Sequence, residues 1–303
     1  SGLAAARHAA RERRGEGPAR WALVTSTEAH ASIRAAARVM DVDVVAVPAE
    51  DGRLTAARVR EALDRVGEAA FAVVATAGTT NAGAIDDLAG IAEACRARDL
   101  WLHVDAAYGG AALCAPSARD RFAGIERADS LVVDPHKWLF APYDCCALLY
   151  RDPSVARRAF TQEAAYLEDA NAAPGWNPMQ LALHMSRRAR GLPLWFSLAV
   201  HGTEAYREAV EAVLRLAREA AEEVRRRPAL ELVREPELSV LLVRRGGWDA
   251  AALQAWCDRT LAEARAFVLP TTWEGERVLR LCFVNPRTPI ALVRDLLDDL
   301  AAP

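Results

Sequence analysis

A lysine and an aspartate have residue types and positions suited to cofactor chemistry. Lys137 lies in the motif Asp-Pro-His-Lys-Trp (134–138), directly after the apolar segment 130–133, and Asp105 ends the strand-like segment 101–105. Because the carboxyl ends of parallel strands meet at one edge of a sheet, the two side chains can converge although they are far apart in the chain. A lysine amine that binds an aldehyde and a carboxylate that pairs with a ring nitrogen are what pyridoxal phosphate chemistry requires.

Each of these two residues also has a structural interpretation. A lone lysine is usually a surface residue, but Lys137 stands between His136 and Trp138 after a buried-strand pattern, where a lysine without a function is rare. Asp105 taken alone could equally be a helix cap or part of a structural ion pair. The local sequence therefore leaves the role of Asp105 open.

Strand-like and helix-like segments alternate in the first half of the chain. This alternation predicts a mostly parallel sheet flanked by helices. Strands are predicted at 21–25, 42–47, 71–77, 101–105, 130–133 and 146–151, and helices at 29–40, 55–66 and 88–98, the last with Asp86 as N-cap.

The pattern changes after the sequence Gly-Leu-Pro at 191–193. Residues 194–227 predict one long helix, followed by a small α+β region with strands at 230–234, 238–245, 266–271 and 278–284 and helices at 250–264 and 289–300. We therefore expect two domains, a partial large α/β domain over 1–190 and a small α+β domain over 191–303.

Composition excludes several classes of function. The 303 residues are 52% hydrophobic and carry 38 basic and 41 acidic side chains spread along the chain, which predicts a large core and no basic surface for nucleic acid or an anionic membrane. No apolar run approaches the length of a membrane span. Six cysteines without paired spacing predict reduced thiols and a cytoplasmic location. A small, roughly neutral substrate is expected.

Several motifs resemble those of the pyridoxal phosphate-dependent group II amino-acid decarboxylases, the relatives of aromatic-L-amino-acid decarboxylase. The matching segments are 25–30 (Thr-Ser-Thr-Glu-Ala-His), 75–80 (Ala-Thr-Ala-Gly-Thr-Thr), 103–109, 134–150 and 186–190. The resemblance implies the aspartate aminotransferase-like type I fold and a homodimer with a shared active site. It also implies decarboxylation of an L-amino acid, aromatic substrates included, through a Schiff base on Lys137.

The same resemblance implies roles for residues around the cofactor ring. Asp105 would keep the ring nitrogen protonated, and Ala107 would lie under the ring, where a larger side chain would collide. His30 would stack on the other face and help to seat the substrate; a histidine that only begins a helix is the alternative. Thr80 would supply a hydroxyl contact, although Thr76 and Thr79 are close enough to leave that assignment open.

Asp134 and His136 fall where the family places contacts near the cofactor phosphate and the lysine. Asp134 departs from the neutral asparagine that aromatic-type members often carry. A carboxylate beside a phosphate would repel it unless the side chain is reoriented or shielded.

Tyr166 is the residue most informative about reaction type. It precedes a Gly- and Pro-bearing stretch, 171–178, which predicts a mobile loop. In the resembled family this loop closes over the active site, often that of the partner subunit, and its tyrosine delivers a proton to the α-carbon. Because phenylalanine there accompanies oxidative deamination to an aldehyde, Tyr166 favours simple decarboxylation; an exposed tyrosine without a role is the alternative.

No Gly/Ser-rich phosphate loop precedes residue 22, so we expect that loop upstream of Ser1, in a longer or split protein. Three functions remain open. The chain could form part of a carboxy-lyase, of an enzyme with another pyridoxal phosphate reaction such as aldehyde synthesis or aminotransfer, or of a non-catalytic partner subunit. The sequence does not specify which amino acid is the substrate.

Overall fold

A mostly parallel sheet forms the centre of the N-terminal part of the chain. The computed structural model describes residues 1–15, 17–173, 175 and 177–302. Within these residues the sheet has six strands in the order β2-β1-β3-β4-β5-β6. The strands are β1 (Ala22–Ser26), β2 (Asp43–Val47), β3 (Ala70–Thr76), β4 (Trp101–Asp105), β5 (Ser130–Val133) and β6 (Ala147–Tyr150). β1 to β5 run parallel, and β6 pairs antiparallel with β5.

Helices alternate with these strands, as the sequence predicts. β1, β3 and β4 are buried along their whole length, which explains their continuous apolar sequences. The helices are α1 (Gly2–Arg14), α2 (Ala31–Met40), α3 (Ala56–Val66), α4 (Leu88–Arg96), α5 (Pro116–Arg119), α6 (Pro135–Trp138), α7 (Pro153–Phe160) and α8 (Glu168–Ala172).

The predicted cap of α4 was wrong by one residue. Asp87, not Asp86, is the N-cap, and its side chain accepts a hydrogen bond from the Gly90 N–H. Asp86 is buried and accepts from the backbone N–H groups of Leu54 (2.7 Å) and Thr76 (2.6 Å). Two adjacent aspartates give the same sequence signal, and only the fold decides which one reaches the helix.

A second sheet, antiparallel with the order β7-β8-β10-β9, lies in the C-terminal part. Its strands are β7 (Leu230–Leu232), β8 (Val240–Arg245), β9 (Leu269–Trp273) and β10 (Glu276–Cys282), with helices α10 (Ala250–Ala262) and α11 (Ile290–Ala301). The prediction of one uninterrupted helix before this sheet was wrong. α9 (Leu192–Arg225) is broken at Gly202, whose φ of 74° is open to glycine but costly for other residues.

One hydrophobic cluster includes buried residues of both sheets. It contains Val73 and Val104 from the first sheet, Leu241 and Leu279 from the second, and Val213 from α9. The predicted division at 190/191 falls just before α9 and remains a prediction. In the described part of the chain, no helix combines the length and apolar character needed to cross a bilayer.

Candidate active site

Four loops that carry predicted site residues emerge from the same edge of the parallel sheet. His30 follows β1, the Thr76–Thr80 segment begins at the end of β3, Asp105 ends β4, and Lys137 lies in α6 directly after β5. Since these strands are parallel neighbours in the order β1-β3-β4-β5, their carboxyl ends lie side by side. The topology therefore places all four loops at the edge where the sequence predicts the site.

Hydrogen bonds join the Asp105 loop to the Lys137 turn. The Asp105 carboxylate is 8% exposed, and its Oδ1 accepts from the Ala107 N–H at 3.1 Å. The Ala107 carbonyl in turn accepts from the Asp134 N–H at 3.0 Å. Ala107 thus links the carboxylate to the residue that begins the lysine turn, and Asp105 caps no helix.

Lys137 is held in a short, well-defined turn. α6 has one turn only, its first residue is Pro135, and the Lys137 N–H donates to the Asp134 carbonyl at 2.9 Å. The side-chain Nζ lies 2.9 Å from Asp134 Oδ2, and the Lys137 side chain is 37% exposed. Lys137 is also the single lysine of the whole sequence.

Asp134 contacts the lysine, which is one of the two neighbours expected for it. Its Oδ2 pairs with Lys137 and lies 3.9 Å from His136 Nε2. His136 Nδ1 lies 2.6 Å from the Cys145 carbonyl, which fixes the ring, and the ring packs at 4.3 Å from that of Tyr143. The negative charge of Asp134 is thus compensated within its own turn; a contact of Asp134 or His136 with a phosphate remains a prediction.

Thr76, rather than Thr80, lies beside Asp105. The two residues are partners in the β3–β4 ladder, and the Thr76 hydroxyl is buried without a hydrogen-bond partner among the described residues. Thr80 is exposed, and its carbonyl accepts from Arg280 Nε at 2.6 Å. The Thr79 hydroxyl is occupied by the Ala84 N–H at 3.1 Å. The contact of the Thr80 hydroxyl with a cofactor remains a prediction, and the buried Thr76 hydroxyl is a second candidate for that contact.

His30 begins α2, as its structural interpretation expects. Its Nδ1 accepts from the Ser32 N–H at 3.2 Å, and the ring is exposed. Its loop is tied to the β3 loop, because Asn81 Nδ2 donates to Glu28 Oε2 at 3.1 Å. The cap leaves the exposed ring available at the sheet edge, so stacking on a cofactor ring remains a prediction.

Tyr166 is an exposed residue in the described part of the chain. It lies in a short 3₁₀ segment (Ala165–Leu167), is 80% exposed and makes no hydrogen bond to the described residues. The predicted loop 171–178 includes residues 174 and 176, which lie outside the described residues; the rest contains the end of α8 and the start of a 3₁₀ turn at Pro178–Gln180. The role of Tyr166 remains a prediction.

A buried histidine lies two residues before Asp105 on the same face of β4. Burial lowers the pKa of His103 to about 4, against the opposing attraction of Asp105. The indole N–H of Trp101 donates to Ser130 Oγ at 2.8 Å, so the Ser130 hydrogen is free to donate to His103 Nδ1 at 2.7 Å. His103 is therefore neutral at pH 7 and does not compete for the Asp105 carboxylate.

The described residues fit the ring of pyridoxal phosphate. Asp105 Oδ1 is engaged by Ala107, and no described residue bonds the second oxygen, which suits the protonated nitrogen of a pyridine ring. The buried, unpartnered Thr76 hydroxyl is a second group whose hydrogen-bonding capacity a ligand would satisfy. Lys137 lies in the loop that follows the neighbouring strand, β5.

Comparisons with known proteins agree with this chemistry. Residues 2–244 match the pyridoxal-dependent decarboxylase conserved domain. The chain belongs to this family. The membership confirms the predicted family and its pyridoxal cofactor.

The chain is similar to an aromatic-L-amino-acid decarboxylase of Bacillus atrophaeus, with 34% identity over 73% of this chain and 48% of the relative. An L-2,4-diaminobutyrate decarboxylase of Rhizobium meliloti (strain 1021) is 37% identical over 91% of this chain and 58% of the relative. The chain spans about half the length of these curated relatives.

Solved structures confirm the predicted fold class. Oryza sativa TDC with PLP and tryptamine superposes with a TM-score of 0.89 at 28% identity, covering 99% of this chain and 67% of that one. Mouse CSAD in apo form gives 0.87 at 28% identity, covering 98% and 68%.

Sequence reasoning named Thr76 only as an alternative to Thr80, and it assigned no role to His103 and Trp138. Trp138 is fully buried and stacks on Tyr108 with ring centroids 5.1 Å apart and planes 10° from parallel. The polar residue ending a buried strand was a usable signal for Thr76. The sequence had no signal for the ring stack, because its partners lie on separate loops.

Proposed function

We propose that this pyridoxal-dependent decarboxylase family chain supplies the lysine and the ring-nitrogen carboxylate of an enzyme that converts an L-amino acid into its amine and carbon dioxide. The supporting observation is the hydrogen-bonded connection from Asp105 through Ala107 to the turn of Lys137. Lys137 would hold the cofactor through its Nζ.

The chain's own residues have distinct tasks in this proposal. Bound pyridoxal phosphate supplies a ring that takes up the electron pair released when carbon dioxide leaves. Asp105 would hold the ring nitrogen in its protonated form, and neutral His103 would leave the charge of that carboxylate uncompensated. Asp134, 2.9 Å from Nζ, orients the lysine and can accept a proton from it.

We further propose that two copies share the site. Tyr166 is 80% exposed, and no hydrogen bond joins its side chain to the described residues, which suits a proton donor that acts in the partner subunit. Alone, the Lys137→Ala protein should be inactive and the Tyr166→Phe protein should form aldehyde in place of amine. When the two proteins are mixed and allowed to exchange subunits, amine formation should recover. Absence of any recovery, with exchange verified by mass, would contradict a shared site.

A single lysine makes the first test unambiguous. After incubation with pyridoxal phosphate and borohydride reduction, peptide mapping should find label on Lys137, and Lys137→Ala should abolish it. The N-terminal amine provides an internal control for non-specific labelling. Label on that amine alone would refute the assignment of Lys137.

An amino-acid panel then tests the reaction. Carbon dioxide and amine in equal amounts support decarboxylation, with a panel of aromatic, acidic and diamino acids and histidine, the substrate classes in the relatives' names. A relative from Aedes aegypti is a 3,4-dihydroxyphenylacetaldehyde synthase, 36% identical over 69% of this chain and 40% of the relative. If aldehyde is the main product, aldehyde synthesis takes the place of the proposed decarboxylation to the amine.

A further inference from the structure

The C-terminal sheet reaches the candidate site through three consecutive residues. Glu237, Leu238 and Ser239 directly precede β8 and are 7%, 1% and 0% exposed. We call Glu237–Ser239 the docking segment. Its side chains contact loops at the carboxyl edge of the parallel sheet.

Glu237 contacts the loop that follows β3. Its Oε2 accepts from the Ile85 N–H at 3.2 Å, and its Oε1 pairs with Arg53 at 2.9 Å and Arg234 at 2.8 Å. Ile85 precedes Asp86, whose Oδ2 accepts from the Thr76 N–H. Two hydrogen bonds, through Ile85 and Asp86, therefore connect Glu237 to Thr76, the residue paired with Asp105.

Ser239 contacts the loop that follows β4. The Ser239 N–H donates to the Tyr108 hydroxyl at 3.0 Å, and Ser239 Oγ lies 2.5 Å from the same oxygen. The Tyr108 ring stacks on Trp138, the neighbour of Lys137. Contact thus runs from the C-terminal sheet through one tyrosine to the lysine turn.

Leu238 fills the space between these two contacts. A Cβ atom added at Gly109 would lie 2.8 Å from Leu238 Cδ1, and one added at Gly83 would lie 3.6 Å from Leu238 Cβ. Gly83 belongs to the β3 loop and Gly109 to the β4 loop. Leu238 is therefore packed tightly against Gly109 of the β4 loop and lies less closely against Gly83 of the β3 loop.

We propose that the docking segment is a positioning element. Ser239 holds the Lys137 turn in place through Tyr108 and Trp138. Glu237 holds in place the β3 loop, which begins at Thr76. This inference deepens the proposed function and rests on it for the meaning of Lys137. The contacts themselves do not require a cofactor, so they can be tested in the cofactor-free chain.

Ser239→Ala is the main variant, and Ser197→Ala is its matched control. Ser197 Oγ accepts from the Tyr206 hydroxyl at 2.6 Å within α9, so the control removes a serine–tyrosine bond of similar length elsewhere. Hydrogen–deuterium exchange of the cofactor-free chain should be about fivefold faster at residues 134–138 in Ser239→Ala, and unchanged there in Ser197→Ala.

Glu237→Gln tests the other arm, with Glu231→Gln as control. Glu231 pairs with Arg244 at 2.6 Å on β7 of the same sheet but is exposed. Glu237→Gln should speed exchange at residues 76–86 by at least about fivefold, and Glu231→Gln should leave it unchanged. Unchanged exchange in both main variants, or equal changes in the controls, would overturn the positioning role.

The cofactor provides a second readout. Ser239→Ala should weaken pyridoxal phosphate binding about fivefold and change the visible circular dichroism per bound cofactor, which reports ring orientation and which a general loss of stability would leave unchanged. An unchanged spectrum and affinity would overturn the link to the site. If the unmodified chain gives no label on Lys137, the proposed function fails while the exchange result still decides the positioning role.

Discussion

Replacing His103 by asparagine should remove one pH-dependent term from the stability of the protein. His103 is buried and faces Asp105, Ser130 and the chain's N-terminal amine, and burial lowers its pKa to about 4 from the ordinary 6.5. The asparagine oxygen can accept the Ser130 hydrogen bond in place of Nδ1, so the variant keeps the contact and loses the titration.

The sign follows from proton binding. The unfolded chain binds a proton at His103 near pH 6.5 and the folded chain only near pH 4, so the stability contributed by neutral His103 is complete above pH 6.5 and is lost as the pH falls toward 4. The full difference amounts to about 3 kcal/mol, and about 2 kcal/mol of it is lost between pH 7 and pH 5.

Urea unfolding at pH 7 and pH 5 measures this term. Asp86 titrates in the opposite sense, because burial raises its pKa to about 7, so the unmodified protein alone would show little net change. Comparison with His103→Asn cancels the Asp86 contribution. The unmodified protein should lose about 2 kcal/mol more than the variant on acidification; equal losses would refute the assignment of a buried, neutral histidine.

Three further substitutions test the site and its support. Gly109→Ala should lower the free energy of unfolding in urea by about 1–3 kcal/mol, because its Cβ would lie 2.1 Å from the Ala77 carbonyl oxygen; unchanged stability would contradict this close packing. Trp138→Ala should cost about 3–5 kcal/mol in the same assay and reduce borohydride labelling of Lys137, and full labelling would separate the stack from the lysine. Asp105→Asn should weaken pyridoxal phosphate binding, followed by absorbance, about tenfold or more with little change in unfolding, and unaltered affinity would remove Asp105 from the site.

Local sequence was sufficient for the strands of the parallel sheet and for the edge where the candidate residues lie. Buried parallel strands have continuous apolar sequences, so β3 and β4 were predicted almost to the residue. The rule that ligands bind at the carboxyl ends of such strands predicts that Asp105 and Lys137 lie at one edge of the sheet.

The remaining details depend on contacts between distant residues. Nothing near Thr80 in sequence shows that its side chain points to solvent while that of Thr76 is buried, since this is decided by the pairing of β3 with β4. The pairing of Asp134 with Lys137 likewise required the geometry of a one-turn helix. Gly202 was available as a signal for the break in α9, but a lone glycine within a long apolar pattern does not by itself end a helix.

The hydrophobic cluster shared by the two sheets limits how the site can adapt. Separating the sheets would expose Leu241 and Val104 to water together, at a cost that grows with the apolar area uncovered. A change of the proposed amino-acid substrate should therefore cost least stability when it exchanges exposed loop side chains, such as those near Tyr143. Such exchanges leave the shared hydrophobic cluster unchanged.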